Sequence, residues 1–562
     1  MALGARAVGA SGEPRDVKPA AMYASVAAVP PPVNEPVRGY APGSAERASL
    51  ERELAMQAAK LVEIPCVIGG KRIYTGRTRD VRMPCDHGHV LARQHLGGQE
   101  EVEAAVKAAE GARRDWANLP WEARAAVFLR AADQLAGRAR DRVNAATMLG
   151  QAKTVHQAEI DAACELIDFW RFNVAYYRNM MAEQPPAHSP GTWNRTDLRP
   201  LDGFVVAITP FNFTSIALNL PTAPALCGNT VVWKPAVTSS LSCWYLFELL
   251  EQCGLPPGVI NVVAGDGPDV GPRLLARPEL GGVHFTGSTG VFHGMWQTIG
   301  ANIANYRAYP RIVGETGGKD FIVAHPSANA RELAVAIVRG GFEYQGQKCS
   351  AASRVYVPRS LWPAVQADCA AMMAEMKQGD VRDLSNFVAA VIDERAFRKH
   401  ASWLDRLRGD TEVVSGGNCD GSKGWFVEPT LARVEDPRHD LMSTELFGPI
   451  VGAFVYDDAE WASTLDLVDS TSPYALTGAV FSNDRYAVEE ALSTLRHAAG
   501  NVYINDKPTG AVVGQQPFGG GRASGTNDKA GAPANLYRWV SPRSIKETFS
   551  PPTDWRYPFL GR

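Results

Sequence analysis

Cysteine is scarce: nine residues in 562, an odd number, and no two of them form a C-x-x-C pair. A disulfide framework and a zinc ribbon are therefore excluded, and a reducing compartment is expected. "CDHGH" (85–89) resembles half a metal site, but no matching His/Cys pair follows. Zinc wants four ligands, so no metal is expected. Long apolar runs are also missing. Stretches such as "SIALNLPTAPALCG" are broken by Asn and Pro and cannot span a bilayer, so no membrane partner is expected. The net charge is −3 and no Lys/Arg run occurs, which speaks against a nucleic-acid partner. The first 40 residues, rich in Ala, Pro and Gly, hold no apolar core for a secretory signal. Glu13 and Asp16 argue against a mitochondrial presequence, which is acid-poor. The cytoplasm is the expected compartment, with the mitochondrial matrix as the alternative.

What is present is an ordinary soluble balance, 45% hydrophobic and 21% charged, over a length suited to three or four folding units. "VPPPVNEP" reads as the end of a flexible lead-in over residues 1–35. Residues 99–148 carry apolar positions at helical spacing and read as two amphipathic helices; a third follows at "AEIDAACELIDFWRFNVAYYRN". The polar segment "PPAHSPGTWNRTDLRPL" suits an exposed hairpin.

Beyond it, short β-branched runs alternate with helical stretches. "GFVVAIT", "NTVVWKP", "GVINVVAG" and "GGVHFTGS" form one series; "FIVAH", "RVYVP", "VGAFVY" and "NVYIND" form a second. Such alternation predicts two tandem Rossmann-like open α/β sheets with helices on both faces.

The dinucleotide fingerprint G-x-G-x-x-G is absent. In its place "FTGSTG" turns from a strand into a helix at Gly287 and Ser288, where backbone N–H groups could hold a pyrophosphate. An ordinary strand–helix connection looks the same. Lys234 ends a strand where it could meet a ribose hydroxyl or simply be solvated. "VGETGGKDF" sets Glu315 on a tight bend, the placement of a general base or of a surface glutamate. "EYQGQKCSAAS" surrounds Cys349 with small and polar residues, unlike the apolar neighbours of a core cysteine. On this ground alone a nucleophile and a structural thiol stand level.

Taken together, "GETGGKDF" and "FEYQGQKCS", "TPFNFT" (209–214), "WKP" (233–235), "FTGST" (285–289) and "ELFGP" (445–449) resemble the aldehyde dehydrogenase superfamily, in its usual order. The stretches "QGQKCSAASRVYVP" and "NVYINDKPTGAVVGQQPFGG" are most similar to its branch that oxidises glutamate γ-semialdehyde. The resemblance runs from about Val33 to the C-terminus.

It implies a Cys349 nucleophile, an Asn212 oxyanion donor and a Glu315 base for thioester hydrolysis. It further implies NAD held by Thr209, Pro210, Phe211, Lys234, Pro235, Gly287, Ser288, Glu445 and Phe447. NAD, not NADP, rests on that branch, because Val237 stands where several relatives carry a glutamate that excludes the 2′-phosphate. Gly510 and Ala511 would cradle the substrate carboxylate, Phe213 and Phe518 flank its methylenes, Glu165 meet its ammonium, and Lys348 and Ser350 sit beside the nucleophile. Some relatives have serine at 511, so one hydroxyl is lost.

The implied domains are a dinucleotide-binding unit (36–183 and 201–312), a catalytic unit (313–524), and a small β oligomerisation flap with a C-terminal segment (184–200 and 525–562). A homodimer is implied, and any proline dehydrogenase partner would be a separate chain. Two alternatives stand: an enzyme for another semialdehyde such as succinic semialdehyde, and a catalytically idle structural member.

Overall fold

The computed structural model describes residues 27–561. Two seven-stranded open sheets carry the chain. The first runs Arg311–Glu315, Leu280–Thr286, Phe204–Ile208, Val231–Lys234, Ile260–Val262, Cys66–Ile68, Lys71–Ile73 from edge to edge. Its first five strands are parallel and the last two antiparallel. The second runs Glu412–Ser415, Thr430–Val434, Ile450–Tyr456, Ala352–Pro358, Asp320–Ala324, Thr477–Phe481, Asn501–Ile504. All its pairings are parallel except that of the Glu412 strand. The expected α/β class with two open sheets is what folds.

The central strands lie between helical layers, which is why they read as continuous apolar runs instead of alternating ones. Every residue of Val231–Lys234 and of Leu280–Thr286 is buried. At about 1.5–3 kcal/mol per buried aliphatic side chain, these strands anchor the first unit.

Thr214–Leu226, the segment whose prolines argued against a membrane span, is a helix with Pro221 and Pro224 inside it. Pro224 has no N–H to give to the Leu220 carbonyl. His284 supplies the missing donor: its Nδ1 lies 2.9 Å from that oxygen. Burial pushes the His284 pKa down to about 4, so the ring is neutral and one nitrogen accepts while Nδ1 donates. Nearly the whole helix is buried, and tertiary packing outweighs its poor propensity.

Three expectations change. Residues 99–151 form three helices, not two: Gln99–Asn118, Trp121–Ala136 and Arg140–Gln151. The second break falls at Gly137, a residue that favours a helix end. The described end of the lead-in is not free chain, because Asn34 Nδ2 donates to Asp168 at 2.8 Å and the Glu35 N–H donates to the same carboxylate at 2.7 Å. The remainder of the lead-in, residues 1–26, lies outside the described residues. Finally, Glu315 closes a strand of the first sheet, so the chain crosses between sheets at 316–319 and not at 312.

Residues 62–95 hold strands that periodicity did not announce. Val62–Ile64, Thr78–Met83 and Asp86–His95 make a separate three-stranded sheet. The exposed hairpin expected near 184–200 is one strand, Thr192–Pro200, paired antiparallel with Val540–Thr548.

Candidate active site

In the first sheet the chain runs outward from Phe204–Ile208 through Val231–Lys234 to Ile260–Val262, then returns to the other side at Leu280–Thr286. The strand order reverses between Phe204–Ile208 and Leu280–Thr286. Ligands of open α/β sheets bind at the carboxyl ends of the strands flanking such a point. Thr209–Asn212 follow one flanking strand, Gly287 and Ser288 the other, and Lys234 and Pro235 end the adjoining strand.

Ser288 begins the 13-residue helix Thr289–Ala301 without a side-chain cap, which leaves its first N–H groups for an anion. The Lys234 ammonium makes no hydrogen bond or ion pair among the described residues, and burial lowers its pKa. A dinucleotide fits this set of groups: uncapped amides for a pyrophosphate and a free ammonium for a hydroxyl.

Cys349 lies where the two units meet and is 8% exposed. Just before it the chain makes an unusual turn. Tyr344, Gln345 and Gly346 are all left-handed, with φ of 53°, 54° and 64°. For non-glycine residues this conformation is costly, and surrounding structure must impose it. The two glutamines do so. Gln345 Nε2 donates to the carbonyls of Ala152 (3.0 Å) and Ala390 (2.7 Å), while its oxygen accepts the Ala389 N–H. Gln347 Oε1 accepts the Ile392 N–H at 2.9 Å. The polar flanks of Cys349 thus hold backbone in place.

Gly346 also passes so close to Gly448 that a Cβ would strike its carbonyl oxygen. Gly346→Ala is expected to cost about 2–4 kcal/mol. A thermal midpoint several degrees below the parent would register that loss, and an unchanged midpoint would mean the turn relaxes freely.

Asn212 reaches this turn from the first unit, its Nδ2 donating to the Gln347 carbonyl at 3.0 Å. An amide nitrogen carries two N–H bonds, so a second remains beside the nucleophile. Glu315 arrives on the edge strand; one of its oxygens is buried without a partner. Burial raises its pKa well above the carboxylate range, against the opposing pull of the Gly520 N–H and Lys529.

Glu445 Oε1 accepts the Gly318 N–H at 2.9 Å, so "ELFGP" is tied to the turn after Glu315. Burial raises the Glu445 pKa too. Phe447, itself left-handed, stands edge-on to Phe211 with ring centroids 5.9 Å apart. Phe211 of the first unit and Phe447 of the second are thereby brought into contact.

Cys349 feels these groups. Burial first, and then the charges of Asp320, Glu315 and Glu445, raises its pKa well above that of a free thiol. Asp320 was not singled out from the sequence, although it closes "GETGGKD". Its carboxyl accepts the Thr477 N–H at 2.7 Å, and burial pushes its pKa up to about 8. Beside it Lys319 is buried with no partner for Nζ, its pKa lowered to about 7 by burial and the Arg354 charge.

Of the expected substrate residues, Lys348 and Ser350 are the chain neighbours of Cys349. Ser350 Oγ is 2.8 Å from Thr509 Oγ1, which brings the 508–511 loop to the nucleophile. Gly510 takes φ +101° at an exposed position beside half-buried Ala511. Lys348 is buried and pairs with Glu343 at 3.0 Å. Burial would raise the Glu343 pKa, but Lys348 and Lys507 hold it below the usual carboxylate value. Glu165 accepts from Ser215 Oγ at 2.6 Å, and burial, then the nearby Asp161, pushes its pKa up to about 8. Phe213 precedes helix Thr214–Leu226 with its ring 4.0 Å from the Lys153 ammonium. The Phe518 N–H donates to the Ala530 carbonyl at 3.0 Å.

Comparison with known proteins agrees with this architecture. The model of the aldehyde dehydrogenase family matches residues 74–545. Delta-1-pyrroline-5-carboxylate dehydrogenase, mitochondrial, of Dictyostelium discoideum is 50% identical over 95% of this chain and 96% of its own length. The Agaricus bisporus protein named Delta-1-pyrroline-5-carboxylate dehydrogenase is 48% identical over 94% of this chain and 97% of its own. Among solved structures, the Delta-pyrroline-5-carboxylate dehydrogenase of Mycobacterium tuberculosis bound with NAD superposes with a TM-score of 0.93. It is 54% identical and covers 96% of this chain and 100% of its own. This chain belongs to the aldehyde dehydrogenase family.

Proposed function

We propose that the protein is an NAD-dependent dehydrogenase that oxidises L-glutamate γ-semialdehyde, the open form of Δ1-pyrroline-5-carboxylate, to L-glutamate. This is the second step of proline degradation, and a separate proline dehydrogenase would supply the substrate. The observation that carries the reading is the convergence of Cys349, Asn212 and Glu315 from distant segments at the switch point of a dinucleotide-type sheet. The names of relatives about 50% identical over nearly the whole chain support the substrate.

In this reading Cys349 loses its thiol proton to solvent, the thiolate Sγ attacks the aldehyde carbon, a C–S bond forms and the carbonyl π pair moves onto the oxygen. The free Asn212 N–H and the Cys349 backbone N–H hold the oxyanion, a contribution of roughly 3 kcal/mol per donor. NAD, when bound, supplies the acceptor for the hydride that leaves this carbon as a thioester forms. Ionised Glu315 then takes a proton from water, whose oxygen attacks the thioester; the C–S bond breaks and Cys349 is regenerated with the carboxylate product. Lys234, Gly287, Ser288, Thr209, Pro210, Phe211, Pro235, Glu445 and Phe447 would hold NAD. Gly510 and Ala511 take the substrate carboxylate, with Phe213, Phe518, Glu165, Lys348 and Ser350 around its chain.

Two copies pair through the two-stranded ribbon of Thr192–Pro200 and Val540–Thr548. The compartment is the cytoplasm or the mitochondrial matrix; the name of the Dictyostelium relative, which says mitochondrial, supports the second. No described helix is long and apolar enough to cross a membrane.

NADH absorbance with pyrroline-5-carboxylate against succinic semialdehyde tests the substrate, and faster turnover of the latter would overturn it. Gly510→Val tests the anchor. Its backbone at φ +101° suits glycine, and a side chain would press on the Lys507 ammonium. The variant should lose about 10²-fold in kcat/KM for glutamate semialdehyde, since charge-assisted hydrogen bonds to the carboxylate are lost. Propanal should be oxidised as before. Equal losses for both aldehydes would show that the loop supports the fold and does not read a carboxylate.

A further inference from the structure

We infer that Lys153 is a positioning residue that clasps the oxyanion loop to the nucleophile turn, an inference that rests on the aldehyde-oxidising reading above. The consecutive residues Gln151, Ala152 and Lys153 touch both loops. Gln151 Nε2 donates to the Phe211 carbonyl at 2.6 Å, gripping the loop that carries Asn212. The Ala152 carbonyl accepts Gln345 Nε2 at 3.0 Å, gripping the turn that carries Cys349. Ala152 is itself left-handed, φ 54°, which aims the segment between the two.

Lys153 fills the gap. It is fully buried, and its ammonium lies 4.0 Å from the Phe213 ring centroid and 4.6 Å from that of Tyr344. A desolvated cation attracts the face of each ring. One charge therefore faces a ring from each loop.

The ammonium is fixed in turn. Nζ donates to Asp161 at 2.7 Å, and Asp161 accepts the N–H groups of Thr214 (3.0 Å) and Ser215 (2.9 Å). Those are the first amides of the helix that follows Asn212 and Phe213, so the carboxylate caps it from a distant segment. Ser215 Oγ lies 2.7 Å from Asp161 and 2.6 Å from Glu165. Burial lowers the Lys153 pKa, and the charges of Asp161, Glu165 and Cys349 oppose that fall.

Cys349 is faced by carboxylates on three other segments, Asp320, Glu315 and Glu445, all of which disfavour its thiolate. Lys153 acts in the opposite sense. Neither end of the clasp needs the substrate's carboxylate, so Lys153 serves any aldehyde.

Lys153→Met keeps the side-chain length and removes the cation. With NAD affinity within twofold of the parent, its single-turnover NADH burst should slow at least 30-fold. The slowing should be alike for glutamate semialdehyde and propanal. The pH midpoint for alkylation of Cys349 by iodoacetamide should rise, a shift that mere loosening of the fold would not give. Tyr344→Leu leaves the Lys153–Asp161 pair intact and should slow both bursts about 10-fold.

A folded Lys153→Met variant with an unchanged burst and alkylation midpoint overturns the inference, as does a loss confined to glutamate semialdehyde. If Lys153→Met does not fold, a full-speed burst in Tyr344→Leu overturns it. A parent that oxidises neither aldehyde defeats the function reading instead, and the alkylation midpoint then decides Lys153 alone.

Discussion

Cys349→Ala should form no NADH above background from glutamate semialdehyde, a loss of about 10⁴-fold or more in kcat. The thiol forms the covalent intermediate in this reading, and the neighbouring Ser350 hydroxyl is engaged with Thr509. Asn212 would still offer an N–H, but without a C–S bond no oxyanion forms for it to hold. The change removes one atom at an 8% exposed position, so a small cavity is all that the fold must absorb. NAD affinity should stay within twofold, because most of the expected dinucleotide groups lie at the first sheet and Cys349 is not among them. Isothermal titration with NAD and absorbance at the NADH band separate the two effects. Turnover above a few per cent of the parent would remove Cys349 from the reaction.

The parent thiol should be slow to alkylate at neutral pH. Burial and the carboxylates of Asp320, Glu315 and Glu445 raise its pKa, so the protonated form dominates below that raised value and reactivity climbs with pH.

Glu315→Ala should behave differently: one rapid equivalent of NADH, then a steady rate reduced by about 10²–10⁴-fold. Hydride departure precedes water attack, so removing the base stops the cycle at the thioester. Intact-mass measurement should then find an acyl adduct on Cys349. A stalled enzyme with an unmodified cysteine would place Glu315 earlier, at deprotonation of the thiol.

The pH dependence follows from burial. The Glu315 carboxyl is held protonated below a pKa well above the ordinary range, and only its ionised form can accept a proton from water. Thioester hydrolysis in the parent should therefore accelerate as pH rises through that raised value. The alanine variant should lack this rise. The partnerless Glu315 oxygen is consistent with a base kept clear for water.

Much of this was legible in the chain itself. Strand–helix alternation identified two open sheets because buried parallel strands must be short, apolar and separated by helices. Cys349, Glu315 and Asn212 stand in blocks whose order is a property of sequence, and the number and spacing of the cysteines speak against a disulfide framework.

Other features depend on contacts that periodicity cannot carry. Pro221 and Pro224 argue against a helix locally, yet His284, about 60 residues away in sequence, satisfies the freed carbonyl and burial does the rest. Gln345 and Gln347 read as polar neighbours of a reactive cysteine; only the fold shows that they bond to residues 152 and 389–392 and so force three left-handed residues in a row. Asp320 and Lys153 gave no local signal, since burial and charge proximity arise when segments hundreds of residues apart are packed together. The sequence by itself determined which side chains can react and the class of sheet that carries them. Tertiary structure alone decided their protonation and aim, because desolvation and hydrogen bonding act through space and not along the chain.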